Sequence, residues 1–181
     1  MTIGISGCPG AGKSTLAVAL TYILHSKSVQ LITEPTWSEY TVQTYLQSAK
    51  RHAKLFDGSK MVTIFDPAIF LFHIYSQKMA NWIDCKERAV YLELWHSALL
   101  DGEEYNTSDR VLFHILGDES SPVELSIQNF LYRIPYIPII SASPEGRLRE
   151  VMSHLSITSA GIGAACEFAK EYVYGSRTLL P

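Results

Sequence analysis

Nine consecutive residues, G-C-P-G-A-G-K-S-T at 7 to 15, restrict what this chain can fold into more than any other stretch. They satisfy G-x-x-x-x-G-K-[ST], with Gly7, Gly12, Lys13 and Ser14 at the fixed positions. Glycines let a backbone curl until its N–H groups converge on phosphate oxygens, and a helix beginning near Lys13 adds the positive end of its dipole at the same point. Such a loop works only between a strand and a helix. The sequence supplies both, a short apolar run at Thr2–Ser6 and a helical pattern at Lys13–His25. Gly7, Gly10, Ala11, Gly12, Lys13, Ser14 and Thr15 are therefore the expected binding residues for the phosphates of ATP. Lys13 would reach the outer phosphates and the Ser14 hydroxyl would ligate Mg²⁺.

The rest of the chain repeats that alternation. Strand candidates are Thr2–Ser6, Val29–Thr33, Val62–Asp66, Arg110–Leu116 and Tyr136–Ser141. Helical patterns cover Lys13–His25, Tyr40–Phe56, Ala68–Trp82, Cys85–Leu100, Val123–Tyr132, Gly146–His154 and Ala160–Tyr172. Strands apolar on both faces and separated by helices predict a five-stranded parallel sheet covered on both sides, a three-layer α/β fold. No repeat or linker divides residues 1 to 181, so one domain is expected. In such sheets ligands bind beyond the carboxyl ends of the strands, which directs attention to Ser6, Thr33, Asp66 and Leu116.

Composition narrows the class. A formal net charge of −3 argues against a nucleic-acid or anionic-membrane surface. The one basic cluster, Lys50-Arg51-His52-Ala53-Lys54, reads as a solvated helix face. Cys8, Cys85 and Cys166 are widely spaced, as thiols of a reducing compartment are. The N-terminus shows no signal-peptide pattern and no apolar run reaches membrane-spanning length; a cytoplasmic protein is expected, in the host cytoplasm if the chain is viral. The guanine-reading N-K-x-D is absent, and no strand ends in the Asp-Glu of ATP-hydrolysing motors. A small kinase remains.

Two acids stand at strand ends. Val29–Thr33 delivers Glu34-Pro35-Thr36-Trp37, where proline holds Glu34 extended toward the loop. A hydroxyl to be phosphorylated needs a group that orients it and accepts its proton, and Glu34 is placed for that. Trp37 suits either a wall of the acceptor pocket or the core. Val62–Asp66 ends in an aspartate followed at once by Pro67. Asp66 suits an outer-shell magnesium partner beside Ser14, or a structural strand end.

Taken in order, the G-C-P-G-A-G-K-S-T loop, L-I-T-E-P, V-Q-T-Y and I-F-D resemble the deoxyribonucleoside kinase family, which includes cellular enzymes and viral thymidine kinases. The segment Y-L-E-L-W-H at 91 to 96 resembles a helix of the same fold, and the likeness spans roughly residues 2 to 116. The resemblance implies a P-loop kinase fold, with transfer of the ATP γ-phosphoryl group to a nucleoside 5′-hydroxyl. It also implies that Glu34 is the base toward that hydroxyl, that Gln43 reads the nucleobase, and that the partners are small nucleosides or nucleotides. By itself Gln43 reads as a surface glutamine. Thymidylate kinases usually carry an arginine before the Glu-Pro to grip a monophosphate; Thr33 at that place favours a nucleoside acceptor.

Two departures stand out. The family's third strand ends in acid-Arg, and Pro67 replaces that arginine. The family also has an arginine-rich lid after the fourth strand, whereas residues 116 to 132 contain no Lys or Arg. Candidate substitute cations are Lys50, Arg51, Arg133, Arg147 and Arg149. The rival readings are a nucleoside monophosphate or modified-nucleotide kinase, and a regulatory nucleotide-binding protein. The closing stripe Ile162, Ala165, Ala169 and Tyr172 suits packing on the core or a homodimer contact.

Overall fold

Five short apolar segments pair into one sheet because each carries β-branched or aromatic residues that two helical layers then cover. The computed structural model describes residues 1–25, 27–34, 38–56, 59–77, 85–104, 109–118, 120–158 and 160–175. The strands are β1 (Thr2–Ser6), β2 (Val29–Thr33), β3 (Val62–Asp66), β4 (Arg110–Ile115) and β5 (Ile137–Ile139). All pair in parallel, in the order β2-β3-β1-β4-β5. The loop-bearing β1 is therefore central, and Thr33 aligns with Asp66 while Ser6 aligns with His114.

The helices are α1 (Lys13–Ile23), α2 (Val42–Leu55), α3 (Phe70–Gln77), α4 (Cys85–Glu104), α5 (Pro122–Leu131), α6 (Pro144–His154) and α7 (Ile162–Lys170). A π-helical turn, Glu171–Gly175, follows α7. On one face α1, α6 and α7 bury Leu16, Leu20, Val151 and Ala165 against Ile3, Ile5 and Phe113. On the other, α2, α3, α4 and α5 bury Leu46, Phe72, Leu94 and Ile127 with Leu112. This is the expected three-layer α/β architecture.

Ends differ from expectation where capping decides them. Thr41 forms a reciprocal capping box with Thr44, so α2 starts at Val42 and not at Tyr40. Pro122 and Pro144 open α5 and α6, ahead of the predicted starts at Val123 and Gly146, because a first-turn proline has no N–H to satisfy. The strand β5 is shorter than predicted: Glu150 reaches back from α6 to accept from Ile140 N at 2.8 Å and Ser141 N at 2.9 Å, taking those groups out of any ladder. The expected helix to Trp82 runs into residues outside those described.

The basic cluster of α2 is not uniformly solvated. His52 is fully buried, stacked on Phe65 and edge-on to Phe72, with Nδ1 3.0 Å from Ser48 O. Ile162, Ala165 and Ala169 of the closing stripe pack into the core, whereas Tyr172 is exposed. No helix among the described residues is long and apolar enough to cross a membrane.

Candidate active site

The loop after β1 turns on glycines with positive φ: Gly7 at 146°, Gly10 at 81° and Gly12 at 87°. At Gly7 close approach adds to the conformational demand, since a Cβ there would lie 3.0 Å from Ile115 O. Gly12, in the left-handed region, is the N-cap of α1, so Lys13 and Ser14 open the helix. Lys13 is buried. Its ammonium donates to Gly7 O at 3.1 Å and Cys8 O at 2.9 Å, and sits 5.4 Å from the Tyr75 ring centroid. Two of its three N–H groups thus fix the side chain to its own loop, which leaves the third for a further acceptor. Burial pushes the Lys13 pKa down, opposed by Asp66, Cys8 and Glu34.

The two strand-end acids come together beside Lys13. Asp66, at the tip of β3, is buried, and burial raises its pKa against the opposing pull of a Ser14 hydrogen bond and Lys13. The Asp66–Pro67 peptide is cis. Glu34 follows β2 and donates its backbone N–H to Asp66 O at 3.1 Å, which ties the two strand ends to each other. Burial, then the Asp66 charge, pushes the Glu34 carboxyl up to about 7, with Lys13 as the opposing cation. Its Oε1 is buried and finds no hydrogen-bond partner among the described residues. A carboxyl that titrates near neutrality, with one oxygen unpartnered among the described residues, can take a proton from a group brought against it.

Two tyrosines that sequence reasoning passed over complete the surroundings. Tyr75 of α3 donates its hydroxyl to Gly7 O at 2.6 Å. Its pKa is raised well above 10, first by burial and then by Asp66, Cys8, Glu34 and Tyr45. Tyr45 of α2 lies 6.3 Å from the Tyr75 ring and 5.7 Å from that of Tyr40, and its pKa is pushed up to about 12 by burial and by Glu34. In the sequence both occupy ordinary apolar positions of amphipathic helices, so no local signal separates them from core tyrosines. Gln43 lies exposed in the first turn of α2, outside the buried stripe of Val42, Tyr45, Leu46 and Ala49. Trp37 lies outside the described residues.

The candidate cations divide sharply. Arg147 of α6 donates from Nε to Ser141 O at 2.8 Å and from Nη1 to Ala11 O at 2.5 Å, which fastens α6 to the phosphate loop. Arg51 of α2 donates to Thr33 O at 2.6 Å, one residue before Glu34. Lys50 pairs with Glu93 at 2.7 Å on the surface, and Arg133 and Arg149 are exposed.

The Ser14 hydroxyl and Asp66 carboxylate are hard oxygen donors placed together at the start of α1, a donor set that fits Mg²⁺ with retained waters. Among the described residues no cluster of three or more His, Cys, Asp and Glu side chains could hold a metal ion on its own.

No protein-family model and no curated protein matches this sequence. Among solved structures, that of deoxyadenosine kinase from M. mycoides with bound dCTP is similar, with a TM-score of 0.51 and 14% identity over 86% of this chain and 99% of that one. The likeness establishes the fold class, an α/β P-loop kinase fold.

Proposed function

We propose that this chain is an ATP- and Mg²⁺-dependent phosphotransferase that moves the γ-phosphoryl group of ATP to the 5′-hydroxyl of a nucleoside, in the manner of a deoxynucleoside kinase. The observation that carries the reading is Glu34: a carboxyl with pKa about 7 and a buried oxygen without a partner among the described residues, tied through its backbone to Asp66 beside the phosphate-loop lysine. Glycine-loop N–H groups and Lys13 would hold the donor phosphates. Ser14 and Asp66 would hold Mg²⁺, which would supply positive charge against the charge that develops on the phosphoryl group. Glu34 would accept the hydroxyl proton as the new O–P bond forms and the bond to the departing ADP oxygen breaks. Tyr45 and Tyr75 offer aromatic walls for the acceptor, and Gln43 and Trp37 remain proposed contacts to it.

An uncharged acceptor suits the electrostatics better than a monophosphate. Glu34 responds to one anion, Asp66, and one cation, Lys13, and Arg51 is spent on a backbone carbonyl. The second reading, a nucleotide-binding regulator with little catalysis, draws on one observation: residues 116 to 132 supply no Lys or Arg to a transferring phosphoryl group.

Incubation of the purified protein with labelled ATP, Mg²⁺ and a panel of nucleosides and nucleoside monophosphates tests these readings together. A nucleoside 5′-monophosphate is the expected product, and Glu34→Gln lowers kcat by about 10²–10⁴ without loss of ATP binding. Product from a monophosphate alone would move the acceptor to the next phosphorylation level. ATP binding that Lys13→Ala abolishes, with no turnover of any acceptor, would establish the regulator.

A further inference from the structure

Behind the phosphate loop lies a second polar assembly that the phosphotransfer reading does not use. Ser6, His114 and Glu124 are each fully buried, and they come from β1, β4 and α5. His114 Nδ1 lies 2.8 Å from Ser6 Oγ, and His114 Nε2 lies 2.8 Å from Glu124 Oε1. The same Oε1 accepts from Gln128 Nε2 at 3.1 Å. Oε2 accepts from the Cys8 thiol at 3.2 Å, and Cys8 is the second residue of the loop.

The protons along this chain follow from its ends. Burial alone would raise the Glu124 pKa, but hydrogen bonds from His114 and Cys8 hold it below the usual carboxylate value. Burial pushes His114 down and Cys8 up, so the imidazole is neutral and the sulfur carries its hydrogen. Glu124 is thus an acceptor with donors on both oxygens, and His114 Nδ1 accepts from Ser6. Gly117 completes the fit. A Cβ there would stand 2.8 Å from Glu124 Oε2 and 3.5 Å from Cys8 Sγ, so a larger residue would press on the carboxylate where it meets the thiol.

We propose that Glu124 is a positioning residue for the donor-nucleotide site: through the Cys8 thiol it holds the first residues of the phosphate loop in the conformation that receives phosphate, with His114 and Ser6 fixing the carboxylate. The inference rests on the reading of the loop as the donor-phosphate site. Cys8 lies at the point where this matters. Its carbonyl receives the Lys13 ammonium, and the preceding carbonyl receives both Lys13 and the Tyr75 hydroxyl. A shift of Cys8 therefore moves the lysine and the backbone donors together. Helix α5, which brings no cation to the site, contributes loop geometry instead.

Titration with a fluorescently labelled ATP tests the assignment. Cys8→Ala and Glu124→Gln should each weaken binding about tenfold, the scale of a hydrogen bond to a charged group. The double variant should be no weaker than either single one, because both remove the same link. Cys8→Ser keeps a donor and should bind within about twofold of wild type. Gly117→Ala removes no polar group yet should reproduce the loss. In turnover the effect should fall on KM for ATP and leave KM for the acceptor unchanged, which general destabilisation would not do. Wild-type affinity in Cys8→Ala, equal weakening by Cys8→Ser and Cys8→Ala, or additive losses in the double variant would each overturn the proposal. If Glu124→Gln does not fold, the comparison of alanine with serine at Cys8 still decides. A wild-type protein that binds no ATP would remove the phosphate-site reading as well, whereas ATP binding untouched by these changes removes this inference alone.

Discussion

A carboxyl that titrates near neutrality serves as a base only in its ionised form, so Glu34 should impose an acid limb on the reaction. With its pKa at about 7, kcat/KM is expected to rise about tenfold per pH unit below that value and to level off above it. A pH profile from 5.5 to 8.5 checks this, and a flat profile would remove Glu34 from the proton transfer. The same shift makes a prediction about stability with a definite sign. The folded pKa lies above the ordinary 4.5, so the stabilisation it supplies is complete below 4.5 and is lost as the pH rises through 7. Above pH 7 the folded protein holds an ionised, partly desolvated carboxylate near Asp66. Glu34→Gln should therefore melt at or above the wild-type temperature at pH 8. A clearly lower melting temperature would mean that the carboxylate is structurally required.

Helix α3 shows how an element brings to the glycine loop a side chain that its own sequence does not announce. Its first residue, Phe70, donates its N–H to Asp101 Oδ2 of α4 at 3.0 Å, deep in the core, which satisfies an end-of-helix donor. Fixed there, α3 carries Tyr75 to Gly7 O. Asp101→Ala should cost about 1–3 kcal/mol in urea unfolding, the penalty of leaving a buried donor unmet. It should also weaken ATP binding, because Tyr75 loses its anchor; unchanged urea midpoints would refute the capping role. The ends of β1, β2 and β3, the glycine turn after β1 and both strand-end acids were legible in the sequence because each depends on local rules: alternation of apolar segments, glycines in a fixed pattern and an acid next to a proline. The tyrosines, the Arg147 tie to Ala11 O and the Glu124–Cys8 link were not. Each joins residues more than 25 positions apart, and burial of an amphipathic face does not say which of its members reaches a distant loop. His52 errs in the opposite direction for the same reason, a polar residue in a basic run whose ring fills space between Phe65 and Phe72.

At the scale of the whole molecule the buried histidines set the response to acid. Burial pushes both His52 and His73 down to about 4 from the ordinary 6.5. Each is depressed in the folded state, so the unfolded chain takes up their protons first and stability is lost as the pH falls from 6.5 toward 4. Glu34 acts in the opposite sense between 4.5 and 7. His114 and the carboxyls of Asp118, Glu124 and Glu150, all lowered, stand on the side of the histidines, and Asp66, raised, stands with Glu34. The two histidines outweigh the one opposing carboxyl, so stability is expected to fall on acidification between pH 6.5 and 4.5. Thermal or urea midpoints measured at half-unit steps across that window should fall steadily. Glu34→Gln removes the opposing group and should steepen the fall. His52→Gln should lower the midpoint at every pH, since it gives up contacts with Phe65 and Phe72, but should flatten the dependence because a proton-uptake site is gone. A midpoint that holds constant or rises toward pH 4.5 in the wild type would show that the buried imidazoles do not govern the acid response.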